Sequence, residues 1–110
     1  MSDDSQILIP ESFTALFIPR GRLRPTASRQ EIGERYEFCE DLAHMLEDQA
    51  KAVLFDLGIS EDDVLERIHA GLRGEASGVT AEEAWWVTRR LAELLGWDGS
   101  RLARSADGSG

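Results

Sequence analysis

A chain of 110 residues with 42% hydrophobic content has room for one domain built on one core. Its formal net charge of -9 argues against coating nucleic acid, where affinity comes from Lys and Arg neutralising phosphates, and against anionic membrane surfaces. No apolar run approaches the roughly 20 residues that span a bilayer, and the acidic opening Met1-Ser2-Asp3-Asp4 is unlike the basic start of a signal peptide, so a cytoplasmic protein is expected.

Residues 1–9 read as a flexible terminus that turns apolar at Ile7, Leu8 and Ile9. Pro10 suits the first turn of a short helix, where its missing N–H costs nothing, and Glu11 sits near the positive end of the dipole. Phe13, Leu16 and Phe17 then share a face, and so short a helix needs a larger surface to pack on. Residues 19–25, Pro-Arg-Gly-Arg-Leu-Arg-Pro, have neither helical nor strand period and read as an extended connector. Arg20, Arg22, Arg24 and Arg29 give this region +4 with no acid among them, whereas the other 100 residues carry 8 basic and 21 acidic groups, a net of -13.

Ser28 followed by Glu31 forms a capping box that opens one long helix over 28–57, with Gly58 as its left-handed stop. Ile32, Tyr36, Cys39, Ala43, Leu46, Ala50, Val53 and Leu57 recur at alternating steps of four and three, the spacing of a single seam. A second row, Phe38, Leu42, Met45 and Ala52, lies beside it and widens the apolar surface. The opposite face, Glu34, Glu37, Asp41, His44, Asp48 and Lys51, is acidic and expected in solvent. At 1.5 Å per residue the helix runs to about 45 Å. Either later helices or a second subunit covers the seam, and the excess length favours a homodimer.

Ser60 with Glu61, Asp62 and Asp63 caps a helix over 60–73, whose stripe is Val64, Leu65, Ile68 and Leu72 and whose end falls at Gly71 and Gly74. Thr80 and Glu83 repeat the capping box for a helix over 80–96, stopped by Gly96. Ala84, Thr88, Leu91 and Leu95 form its line, with Trp85 placed in the core and Trp86 at the edge. The sequence therefore predicts an all-α bundle over 10–97 and a disordered tail over 98–110.

Ile9-Pro10, Ser12-Phe13, Leu16-Phe17, Gly21-Arg22, Arg24-Pro25-Thr26, Arg35-Tyr36-Glu37, Cys39-Glu40-Asp41-Leu42, Asp63-Val64-Leu65 and Gly71-Leu72 together resemble a group of short, uncharacterised bacterial proteins labelled as ATPases with chaperone activity. The resemblance spans roughly 9–97 and brings no catalytic residues. The chain has no Gly-rich loop ahead of Lys-Ser or Lys-Thr, and its single lysine is Lys51. What the resemblance implies is a chaperone accessory bound to a larger ATPase.

Two acid-x-x-His steps, Asp41 to His44 and Glu66 to His69, have the spacing by which helices ligate metals in di-metal bundles. Asp41 and His44 nevertheless fall on the acidic outer face, so a metal site is the alternative reading and no cofactor is assigned. The arginines of the connector can grip carboxylate or phosphate in bidentate fashion, or fold back on the acidic helix face. Trp86, Arg90 and Trp97 share one side of the last helix with the composition of an interface centre. Cys39 lies on the buried seam, where an apolar setting raises a thiol's pKa, so no catalytic residue is assigned. The expected function is non-enzymatic: an adaptor or regulatory protein that binds a larger protein through Arg20, Arg22, Arg24, Arg29, Trp86, Arg90 and Trp97. A small acidic mimic of nucleic acid is a further alternative.

Overall fold

The computed structural model describes residues 8–98. The flexible start expected over 1–9 lies outside them apart from Leu8 and Ile9, and the tail expected over 98–110 apart from Asp98. The fold is all-α, with no strand among the described residues. A short α1 (Glu11–Thr14) runs into a 3-10 turn (Ala15–Phe17), followed by α2 (Arg29–Leu57), α3 (Glu61–Leu72), a second 3-10 turn (Glu75–Ser77) and α4 (Ala81–Leu95). Inside α2, between Phe38 and Cys39, the chain divides into two compact units.

In the first unit Pro10 is the cap rather than the first helical residue, and its carbonyl accepts from the N–H groups of Phe13 and Thr14. One helical turn cannot hold itself together in water. It is held by Phe13, which is fully buried with its ring 5.5 Å from Phe17 and 5.6 Å, nearly edge-on, from Tyr36 of α2. The capping box expected at the start of α2 is formed. The Ser28 hydroxyl accepts from the Glu31 N–H at 3.1 Å while the Glu31 carboxylate accepts from the Ser28 N–H at 2.9 Å.

In the second unit Cys39, Ala43 and Ala50 are completely buried together with Val64 and Leu65 of α3 and Ala84, Val87 and Leu91 of α4. The chain's own later helices thus cover this part of the seam. The second row is different: Met45 is 73% exposed, Phe38 and Ala52 are exposed and Leu42 is half-buried. A helix turns about 100° per residue, so within the second unit Met45 and Ala52 lie too far round α2 for α3 and α4 to reach. The acidic face is in solvent as expected, with Glu34, Glu37, Asp41, His44, Asp48 and Lys51 all exposed.

Local chemistry ends and starts these helices. Ser60 accepts from the Asp63 N–H, and Thr80 and Glu83 form a full capping box with both bonds at 3.0 Å. Gly96 adopts a left-handed φ of 75°, which lets the Trp97 N–H reach the Ala92 carbonyl at 2.9 Å and the Gly96 N–H reach Glu93 at 3.1 Å, the double bond of a Schellman end. Gly71 does not end α3, which runs on to Leu72 and closes as the Gly74 N–H donates to the Gly71 carbonyl.

The two neighbouring tryptophans exchange their expected places: Trp86 is only 9% exposed, whereas Trp85 is half-buried with its ring 4.8 Å from His69 of α3. Both indoles stand on opposite shoulders of an arc centred on Val87 and Leu91, so helical period does not choose between them. The neighbouring helices do.

Gly33 lies inside α2, and a Cβ there would meet Ile9 Cδ1 at 3.7 Å, an ordinary contact. Gly33→Ala is therefore expected to raise stability by about 0.5–1 kcal/mol through reduced backbone entropy of the unfolded chain. Urea denaturation of the variant checks this.

Candidate functional site

The connector expected to be extended is a closed loop. Thr26 clasps its base, with the backbone N–H donating to the Phe17 carbonyl at 2.6 Å and the hydroxyl donating to the same oxygen at 3.1 Å. A turn forms within it as the Arg22 N–H donates to the Pro19 carbonyl at 3.0 Å, with Gly21 at a φ of 82°. Only glycine takes that conformation without steric cost. The span has the dimensions of an Ω-loop, a closed surface loop whose ends meet.

Arg20, Arg22, Arg24 and Arg29 are all exposed, and none is ion-paired among the described residues. Leu23, between two of them, is 95% exposed. Arg29 occupies the first position of α2, where the positive end of the helix dipole disfavours a cation. These side chains contribute nothing evident to holding the fold. Their guanidinium forks have the geometry that matches carboxylate or phosphate.

The other expected partner-binding residues are engaged within their own unit. Trp86 is buried. Arg90 is bound to Glu40 by two parallel bonds, Nε to Oε1 at 2.9 Å and Nη2 to Oε2 at 2.9 Å, and its Nη1 reaches Glu93 at 3.0 Å. Its hydrogen bond to Glu40 holds the Glu40 carboxyl below the usual carboxylate range against the opposing effect of burial, and raises Arg90's own pKa further. Trp97 is half-buried at the Schellman end of α4. Arg90 therefore joins α4 to α2, and its sequence spacing of 50 from Glu40 left no local sign of the pair. Leu23 was the other omission. Its signal was an apolar residue inside a basic loop with no periodic partner.

The four residues of the metal alternative are not brought together. The ring nitrogens of His44 lie 3.1 Å from Glu40 and 3.1 Å from Glu47 rather than on Asp41, whereas the His69 ring packs against Trp85 at a tilt of 44°. No group of three or more His, Cys, Asp or Glu that could hold a metal ion occurs among the described residues. Cys39 is fully buried. No helix among the described residues is long and apolar enough to cross a membrane.

No protein-family profile matches the sequence, and neither curated proteins nor solved structures show a significant match to it.

Two predictions follow from the geometry within the second unit. Glu40→Gln and Arg90→Ala should be non-additive, with a coupling of about 1 kcal/mol, the range of a well-formed but partly exposed pair; a double-mutant cycle in urea measures it. His69 has its pKa lowered below 6.5, first by burial and then by the charge of Arg73, and its Nε2 is buried without a hydrogen-bond partner. As pH falls through 6.5 the unfolded chain takes a proton that the folded one resists, so stability falls below that pH and is complete above it. His69→Phe should flatten this slope in urea midpoints measured on both sides of neutrality.

Proposed function

We propose that the protein is a non-enzymatic helical adaptor or regulatory subunit that acts in the cytoplasm and docks on a larger protein through the arginine loop. The observation that carries this reading is the set Arg20, Arg22, Arg24 and Arg29, exposed and unpaired around an exposed Leu23, on a loop clasped at its base. A closed loop loses less conformational freedom on binding than an extended connector, so more of its contact energy appears as affinity. The partner surface it fits is acidic with an apolar pocket for Leu23. Arginine and a central apolar anchor are the composition of interface centres. The resemblance to proteins labelled as ATPases with chaperone activity suggests the class of that partner: a larger ATPase to which this chain is accessory.

The triple variant Arg20→Ala, Arg22→Ala, Arg24→Ala should leave stability within about 0.5 kcal/mol of the parent, because the side chains touch nothing that holds the fold. Its binding to the partner recovered by cross-linking from cell lysate should fall by about tenfold or more. An unchanged catch would discard the arginine loop as the docking element.

A further inference from the structure

The side of α2 that α3 and α4 leave open continues into a groove within the second unit. The groove has a volume of about 350 Å³, with Leu46 and Val53 of α2 and Ile68 and Leu72 of α3 as its apolar walls and Arg67 on its α3 side. Gly71 also lines it, and a Cβ built there would meet nothing within 4 Å, so the α3 wall is open to close approach. Leu42, Met45, Gln49 and Ala52, of which Gln49 also lines the groove, follow at steps of three and four, which places them on one strip of α2. The next position of this row is Asp56, also exposed, so the apolar part of the strip ends at Ala52. From Leu42 to Ala52 the strip is about 15 Å long, close to three helical turns.

Charge decides what fits. Asp41 and Asp48, two turns apart, edge the strip on its outer side, exposed and without an ion-pair partner among the described residues. Arg67 is exposed on the other side and likewise unpaired. A second copy of the chain is a poor occupant. Antiparallel self-pairing in the register that sets Leu42 against Ala52 and Met45 against Gln49 brings the two copies of Asp48 within one helical turn of each other on the same edge, and each chain brings a net charge of -9.

We infer that this groove is a docking site for an amphipathic helix of a protein partner, one with an apolar stripe, Lys or Arg along the edge that meets Asp41 and Asp48, and an acidic residue on the edge that meets Arg67. It is the helix-in-groove mode of recognition, in which the apolar stripe supplies the contact and the flanking charges set orientation. The inference does not rest on the arginine loop. If both hold, the chain carries two docking surfaces of opposite charge preference, which is what an adaptor needs to join two proteins.

The test is a fluorescence-anisotropy titration of the full chain with a synthetic helix of about 18 residues made of Leu, Ala, Lys and Glu, with Lys on one edge and Glu on the other. A second peptide has the two edges exchanged. At about 0.15 M salt the first peptide should bind more tightly than the second. Gly71→Leu fills the groove without changing charge and replaces a helical glycine by a stronger helix former, so the fold is kept, as circular dichroism verifies. It should weaken binding about tenfold or more. The pair Asp41→Lys and Asp48→Lys should reverse the preference toward the exchanged peptide. Absence of binding, or binding that Gly71→Leu leaves unchanged, overturns the inference, the latter because it would report only attraction to the acidic back of α2. Sedimentation showing dimers that Gly71→Leu disperses also overturns it, because the groove would then hold a second copy.

Discussion

The second unit is built on the seam formed by Cys39, Ala43 and Ala50. All three are completely buried, and their small side chains leave the space around them to larger residues of α3 and α4. Val64, Leu65, Val87 and Leu91 supply the apolar area, each worth about 1.5–3 kcal/mol when fully withdrawn from water. The small seam itself buries little. Its role is geometric, and enlarging Ala43 or Ala50 would separate the helices that the larger residues hold together. Glu40, next to Cys39, then ties this edge to α4 through Arg90. The hydrogen bond between them lowers the Glu40 pKa despite burial, so both groups stay charged at neutral pH.

Charge in this protein divides into groups that serve the fold and groups that do not. Glu31, Glu83 and the acids after Ser60 stand at helix N-termini, where backbone N–H groups and the dipole favour them. Glu83 is almost wholly buried, because its carboxylate is occupied in the capping box. Arg90 is held by carboxylates. By contrast Arg29 stands at the disfavoured end of a helix, and Arg20, Arg22 and Arg24 project from a loop whose backbone is closed by Thr26 and Gly21 without their help. Solvated charges of this kind are inexpensive for folding, and a set of one sign concentrates positive potential on one loop.

The apolar residues divide in the same way. The face of α2 toward Cys39 and Ala50 is satisfied within the chain, whereas the strip through Met45 and Ala52 is not. An apolar strip beside an open groove and bounded by unpaired charges has the layout of a recognition surface, with an apolar centre and a polar rim. Scattered exposed apolar residues need no such account. Their spacing by three and four along one helix sets these apart.

The sequence by itself determined the all-α class, the three main helices to within about one residue, their capping boxes at Ser28 and Thr80, the stops at Gly58 and Gly96, the solvated acidic back of α2 and the burial of Cys39, Ala43 and Ala50. These are local or periodic properties: a cap is made between residues three apart, and a helical face follows from 3.6 residues per turn. The four arginines were legible too, as a run of one sign. Tertiary structure alone decided which apolar row of α2 is covered, which of Trp85 and Trp86 is buried, that Arg90 belongs to Glu40, and that Thr26 closes the basic segment into a loop presenting Leu23. Each of these depends on where a second element lies. A side chain at the edge of an apolar arc, or a charge whose partner is fifty residues away, has no fixed place until the helices have docked.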